Sequence, residues 1–160
     1  MEEFEKLYIV SKKPTNKMIV GCGFTKLSAQ KNKGAKGKID INNNVSIKNV
    51  EEADLSLGKD KQNALRFVFE FTSKYEPAVG EMLFEGEVLY LEEQKKAKEI
   101  LSSWKKDKKI PKELMAVLLN TVLTKCNVQA LILSQEINLP PPIPLPRVQI
   151  QDNTEKSYIG

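Results

Sequence analysis

The chain has 160 residues, of which 41% are hydrophobic and 29% are charged, and its formal net charge is +4. These proportions are typical of one globular domain and unlike those of a disordered segment. The first residues are acidic and polar, the reverse of a secretory signal, and no run of about 18 uncharged apolar residues is present. We therefore expect a cytoplasmic protein that does not insert into a membrane.

The sequence lacks the residues that several kinds of catalytic site require. The chain contains no histidine, which excludes Ser-His and Cys-His nucleophile pairs. Cys22 and Cys126 have no neighbours at metal-ligand spacing, and they are interpreted as small buried hydrophobic residues. Glu85 and Glu87 alternate on a predicted strand, which is the pattern of a solvated sheet face rather than of an acid-base pair. We expect no enzymatic activity, no metal site and no cofactor.

The first two thirds of the chain predict an antiparallel sheet of four to five strands. Apolar runs at 7–10 and 18–24 flank a turn, and strict alternation over 39–47 indicates a half-buried strand with Asn43 as its one polar inward residue. Segment 50–57 is less regular. A hairpin follows, and its two strands place a row of large apolar residues on one face: Leu65, Phe67, Phe69, Phe71, Met82, Phe84, Val88 and Tyr90.

Two helices are predicted to cover that face, which makes the fold class α+β. The first runs from Glu92 to about Lys106, with acidic residues at its start and basic residues at its end, as the helix dipole favours. Its apolar residues follow one stripe. The second begins at Pro111, a residue suited to the first helical turn, and runs to about Glu136. Residues 1–147 form a single domain in this interpretation, and 148–160 form a polar tail.

The second helix carries two adjacent apolar stripes, which is more than one buried face requires. The first stripe lies on the sheet and consists of Met115, Leu118, Leu119, Val122, Cys126, Ala130 and Leu133. The second stripe needs another cover, and a subunit partner is the economical one. The alternative is complete burial within one subunit. The predicted oligomer interface consists of Leu114, Val117, Thr121, Val128 and Leu131.

The segment 139–146 contains five prolines and cannot continue a helix or enter a central strand. We expect an extended strap in which Leu139, Ile143 and Leu145 pack along the apolar body, because proline presets the backbone and lowers the entropy lost on docking. The alternative is a polyproline ligand for an aromatic groove in another protein.

Residues 37 to about 146 resemble the SecB family of export chaperones. The resemblance lies in 65–72 (LRFVFEFT), in 82–90 (MLFEGEVLY), and in the helix end LTKC at 123–126 with the following INLPP at 137–141. It implies a tetramer, a dimer of dimers, that binds unfolded polypeptides through hydrophobic grooves without ATP. For this chain we expect a homo-oligomer, either a dimer or a tetramer. This chain differs from the family in its basic charge, in the missing helix after the prolines and in the additional helix at 92–106.

The sequence thus predicts a holdase chaperone that prevents aggregation, with a link to protein export as an extension. Apolar, adaptable side chains suit promiscuous contact. The candidate client-binding residues are Met82, Phe84, Trp104, Met115, Leu118 and Leu119, for each of which a core role is the alternative. A second hypothesis is an RNA- or ribosome-associated module that uses the lysine-rich segment 26–38, with Phe67, Phe69 and Phe71 as a base-stacking face. Nucleic acid is the less favoured partner, because arginine is scarce.

Overall fold

The computed structural model describes residues 18–32, 34, 37–57 and 60–150, with the backbone alone at 56, 57 and 60–62. It contains the strands β1 (Met18–Lys31), β2 (Asp40–Leu57), β3 (Asp60–Glu76) and β4 (Gly80–Leu91), and the helices α1 (Gln94–Asp107) and α2 (Lys112–Glu136). The predicted α+β class, with an antiparallel sheet and two helices on one face, is confirmed. The strand predicted at 7–10 lies outside the described residues.

The sheet has the strand order β1-β4-β3-β2, and all its neighbours are antiparallel. The predicted hairpin forms its centre, where Phe71 lies opposite Phe84. β2 is longer than predicted because segment 50–57 continues it, after a register shift between Ile47 and Asn49. Such a bulge inserts one residue, so the inward positions change from odd to even and Val50 becomes buried.

The core lies between the sheet and the helices. The apolar row predicted on β3 and β4 is buried, and Phe67, Phe69, Phe71 and Phe84 have no accessible surface. The rings of Phe71 and Phe84 stack with their centroids 5.4 Å apart. Gly86 leaves the space that the Phe69 ring occupies, since a Cβ there would lie 2.5 Å from that ring. The row is therefore a packed aromatic core.

Helix α2 packs on the sheet through one narrow row of residues spaced four apart. Leu118, Val122, Cys126 and Ala130 are fully buried, which confirms the centre of the first predicted stripe. Residues spaced by four lie on one side of a helix, so this row marks the line of contact. Helix α1 contributes Ala97, Ile100 and Trp104 to the same core. Pro111 is the N-cap of α2 and not its first helical residue.

The chain leaves α2 through Asn138, which has a left-handed backbone (φ 54°). Asparagine tolerates this conformation better than most residues do. The Leu139 N–H donates to the Ser134 carbonyl at 2.8 Å, and the Leu139 side chain is buried in the core. This turn directs the proline segment back across the sheet.

The predicted strap is confirmed for residues 139–143. The Tyr75 hydroxyl donates to the Pro140 carbonyl at 2.7 Å, and the Asn43 amide donates to the Pro142 carbonyl at 2.7 Å. Asn43 in turn accepts a 2.6 Å hydrogen bond from the Ser73 hydroxyl. Asn43 is polar on an apolar strand face because it holds the strap. The prediction was wrong for Leu145, which is exposed because the strap has left the sheet by that residue.

Helix α2 is also long and apolar enough, by length and composition, to cross a membrane. The sequence prediction required a run of uncharged apolar residues and so missed this helix, because Lys125 interrupts the run. One face of α2 packs on the sheet, although only 22% of the apolar window is buried, and one such helix is weak evidence for a membrane span. The absence of membrane insertion stays a prediction.

Candidate functional site: the grooves along helix α2

The side of α2 that faces away from the sheet is apolar and uncovered in the single chain. Val117, Val128 and Ile132 are 51%, 56% and 48% exposed, respectively. In the predicted interface, Leu114, Thr121 and Leu131 are half-buried, and Val117 and Val128 are exposed. Ile132 was missed, although it follows Val128 by four residues and so continues the same row. Self-association through this stripe stays a prediction.

One groove, which we call the β2 groove, lies where α1, α2 and β2 meet. It has a volume of about 520 Å³ and is lined by Val45, Ser46, Ile47, Lys48, Trp104, Lys108, Met115 and Leu119. Trp104 is held in place because the Lys108 ammonium lies 5.2 Å from the centre of its ring, a cation–π contact. Lys108 adopts a left-handed backbone at the end of α1, with its N–H bonded to the Trp104 carbonyl at 3.0 Å.

The six candidate client-binding residues separate into two groups. Trp104, Met115 and Leu119 meet in the β2 groove, where Met115 and Leu119 are half-buried. The other three, Met82, Phe84 and Leu118, are fully buried in the core. A client on the surface of this fold does not contact these three, so they have the core role that was the alternative. Periodicity alone did not separate the groups, because all six lie on faces directed toward the sheet-helix layer.

A second groove, which we call the α1 groove, lies between the two helices near the start of α2. Its volume is about 490 Å³, and its lining consists of Tyr90, Glu92, Lys96, Glu99, Ile100, Ser103, Pro111, Glu113, Leu114 and Val117. The buried Glu92 carboxylate accepts the Glu93 N–H at 2.9 Å and the Tyr90 hydroxyl at 3.5 Å. Burial raises the pKa of Tyr90 above its ordinary value, and the charge of Glu92 is the second cause of this increase. The groove lining thus combines apolar side chains with three carboxylates and one ammonium.

A third groove, the β1 groove, separates α2 from the edge strand β1. It is lined by Cys22, Phe24, Thr121, Thr124, Lys125, Val128 and Gln129. The Lys125 ammonium lies 5.2 Å from the centre of the Phe24 ring. Burial raises the pKa of the Cys126 thiol to about 12 and also raises that of Cys22. Both thiols therefore stay protonated at neutral pH and are poor nucleophiles.

The lysine-rich segment of the second hypothesis is only partly described. Lys31 donates to the Asn138 carbonyl at 3.2 Å, and Lys38 lies 3.9 Å from Asp40. Lys33 and Lys36 lie outside the described residues. The base-stacking face is corrected, because Phe67, Phe69 and Phe71 are buried beneath the helices. Within the ranges that the structure describes, no group of three His, Cys, Asp or Glu residues could hold a metal ion.

The sequence matches no protein-family model and no curated protein. The fold is similar to that of a Mycobacterium tuberculosis SecB-like chaperone solved in complex with a ChAD peptide from the HigA1 antitoxin. The TM-score is 0.49 and the sequence identity is 13%, over 83% of this chain and 91% of that chain. A likeness at this level carries no functional conclusion for the present chain.

Proposed function

We propose that the protein binds non-native polypeptides without ATP and thereby prevents their aggregation. The observation that carries the proposal is the uncovered apolar side of α2, which exposes Val117, Val128 and Ile132. Exposed apolar surface of this kind is typical of interaction sites. The resemblance of residues 65–72, 82–90 and 137–141 to the SecB family is consistent with this function.

The β2 groove is the site that we assign to the client. Its walls combine the aliphatic side chains of Val45 and Ile47 with Met115 and Trp104. Methionine adapts its shape to different partners, and the half-buried Met115 and Leu119 supply most of the apolar surface that the two helices expose there, because Trp104 is only 6% exposed. Such a groove favours apolar side chains of an extended chain and has little specificity for their sequence. A link to export would be an additional function of the same site.

Self-association belongs to the same proposal. The stripe of Leu114, Val117, Thr121, Val128 and Leu131 runs along α2 beside the grooves. Two copies that meet through part of this stripe would bury apolar surface that one chain leaves in water. Client binding and assembly then use neighbouring surfaces of one helix.

The test is an aggregation assay with a denatured, unrelated protein, followed by light scattering. The wild-type chain is expected to suppress scattering, and the double variant Met115→Gln/Leu119→Gln is expected to lose most of that effect, because it makes one wall of the β2 groove polar. Ala116→Gln is the matched control, since Ala116 is exposed on the same helix and does not line the groove. Thermal unfolding of each variant checks that the fold is retained.

Trp104 supplies a second, direct measurement because it is the only tryptophan in the chain. A peptide with several leucine and phenylalanine residues should change the Trp104 emission on binding, and the groove variant should need a much higher peptide concentration. A wild-type chain that leaves both aggregation and emission unchanged would contradict the proposed function.

A further inference from the structure

The last described residues, 144–150, lie beyond the strap, and we call them the arm. Val148 is 96% exposed and Ile150 is 92% exposed. In an extended chain, side chains two residues apart point to the same side. The arm therefore presents a pair of branched apolar side chains, preceded by the positive charge of Arg147. These residues gain nothing from the fold of their own chain.

The α1 groove has the complementary properties. Its lining includes the aliphatic side chains of Ile100, Leu114 and Val117 and the ring of Tyr90. Three carboxylates, those of Glu92, Glu99 and Glu113, line it against a single ammonium, that of Lys96. Glu92 is only 6% exposed, so its oxygens lie at the protein side of the groove and not in bulk water. A basic segment with apolar side chains matches this lining.

Charge selects this groove over the other two. Lys48 and Lys108 line the β2 groove, and Lys125 lines the β1 groove, and neither lining includes a carboxylate. Arg147 would meet like charge in both of them, which is unfavourable in a partly desolvated contact. We propose that the arm docks in the α1 groove of a second copy of the chain, with Val148 and Ile150 against its apolar side chains and Arg147 beside its glutamates.

The fold shows why the groove belongs to a second copy. Pro142 is bonded to Asn43, which pairs with Ser73 on β3, whereas Tyr90 of the groove pairs with Leu65. Ser73 and Leu65 are eight residues apart on one strand, or about 26 Å at the strand rise. Six residues separate Pro142 from Val148, and a fully extended chain covers only about 20 Å in six residues. Arg147 and Val148 therefore fall short of Tyr90 in their own chain, and Ile150 comes level with it only if the whole arm is fully extended along the sheet.

The exchange has consequences for the assembly. If each copy gives its arm to the other, the contact closes as a two-fold dimer and leaves no open end. The arm would cover Leu114 and Val117, the first part of the predicted oligomer stripe, and would leave Val128 and Ile132 available for the further self-association proposed above. The β2 groove would also remain open, so the inference is independent of the proposed client binding.

The experiment measures the dimer dissociation constant of the full chain by sedimentation velocity over a range of concentrations. Arg147→Glu, Glu99→Lys and the double variant Val148→Asp/Ile150→Asp should each weaken the dimer about tenfold or more. Combining Arg147→Glu with Glu99→Lys should restore most of the affinity, because the charge pair is rebuilt with its signs exchanged. Lys105→Glu and Glu136→Lys are controls that make the same charge changes at exposed positions outside the groove.

Three results would overturn the inference. The wild-type chain could stay monomeric at all concentrations, or the arm variants could dimerise as tightly as the wild type. A labelled peptide of residues 142–150 could also bind the α1 groove while the full chain stays monomeric, in which case the groove accepts a basic peptide other than a second copy. Suppression of aggregation is measured on the same variants and should persist, so failure of the arm exchange is distinguishable from failure of the proposed client binding.

Discussion

The two sides of helix α2 have similar amino acids and different surroundings. The inner side places Leu118, Val122 and Cys126 against the aromatic core with no accessible surface. The outer side carries Val117, Val128 and Ile132, and each of them is about half exposed. Apolar character alone therefore does not distinguish the core of this protein from its uncovered surface.

The difference arises from what lies opposite each side. The inner side meets a sheet whose central strands contribute four fully buried phenylalanines. The apolar side chains on this side of α2 are therefore removed from water when the protein folds. The outer side meets no element of the described chain over most of its length. Helix α1 covers only the start of α2, where the two helices enclose the α1 groove. The uncovered area is thus a property of the topology and is available for partners.

The largest effect is expected from one matched pair of substitutions on this helix. Leu118→Ala should lower the free energy of unfolding by about 2–5 kcal/mol, because it leaves a cavity under the sheet. Val117→Ala, one residue earlier on the outer side, should change it by less than about 0.5 kcal/mol. Urea unfolding followed by circular dichroism measures both. Equal losses would show that the outer side is covered within a single chain.

The sequence predicted the elements well because their patterns are local. Alternation identified β3 and β4, and the spacing of Ala97, Ile100 and Trp104 identified the buried side of α1. The long α2 was evident from two adjacent stripes and a preceding proline. The extension of β2 beyond Val50 was not evident, since a bulge changes which positions face the core.

The site was harder to predict because it depends on which elements become neighbours. The order β1-β4-β3-β2 places β2 beside the end of α1, and this contact brings Val45 and Ile47 to Trp104. No local pattern contains that information. Likewise, Met82 and Met115 have the same side chain, and only the packed structure separates the buried one from the one in the groove.

The strap is intermediate between the buried and the uncovered side of α2. It lies at the surface, but hydrogen bonds from Tyr75 and Asn43 hold it on the sheet. Tyr75→Phe removes the donor to the Pro140 carbonyl and should cost about 1 kcal/mol at neutral pH. Burial raises the pKa of Tyr75 from 10.0 to about 12. The folded state thus retains this proton longer than the unfolded state, so the contribution is complete below pH 10 and is lost as the pH rises toward 12.

The measurement that checks this is the stability difference between the wild type and Tyr75→Phe as a function of pH. Lysine titration affects both proteins equally and cancels in the difference. The gap should be constant up to about pH 10 and should then shrink. A gap that does not change between pH 10 and 12 would show that the Tyr75 hydroxyl is not held by the strap.

The smallest effect on folding, and the sharpest test of the comparison, is expected at Val128. Val128→Asp places a charge on the outer side of α2, where the valine is already half in water, so the unfolding free energy at low protein concentration should change by less than about 0.5 kcal/mol. At high concentration the wild type should gain stability from self-association and the variant should gain less, because assembly stabilises only the folded state. Thermal unfolding at two protein concentrations separates the stability of the single chain from the stability gained by self-association. A large loss at low concentration would mean that a single chain already covers this surface, and then neither assembly nor client binding would need it.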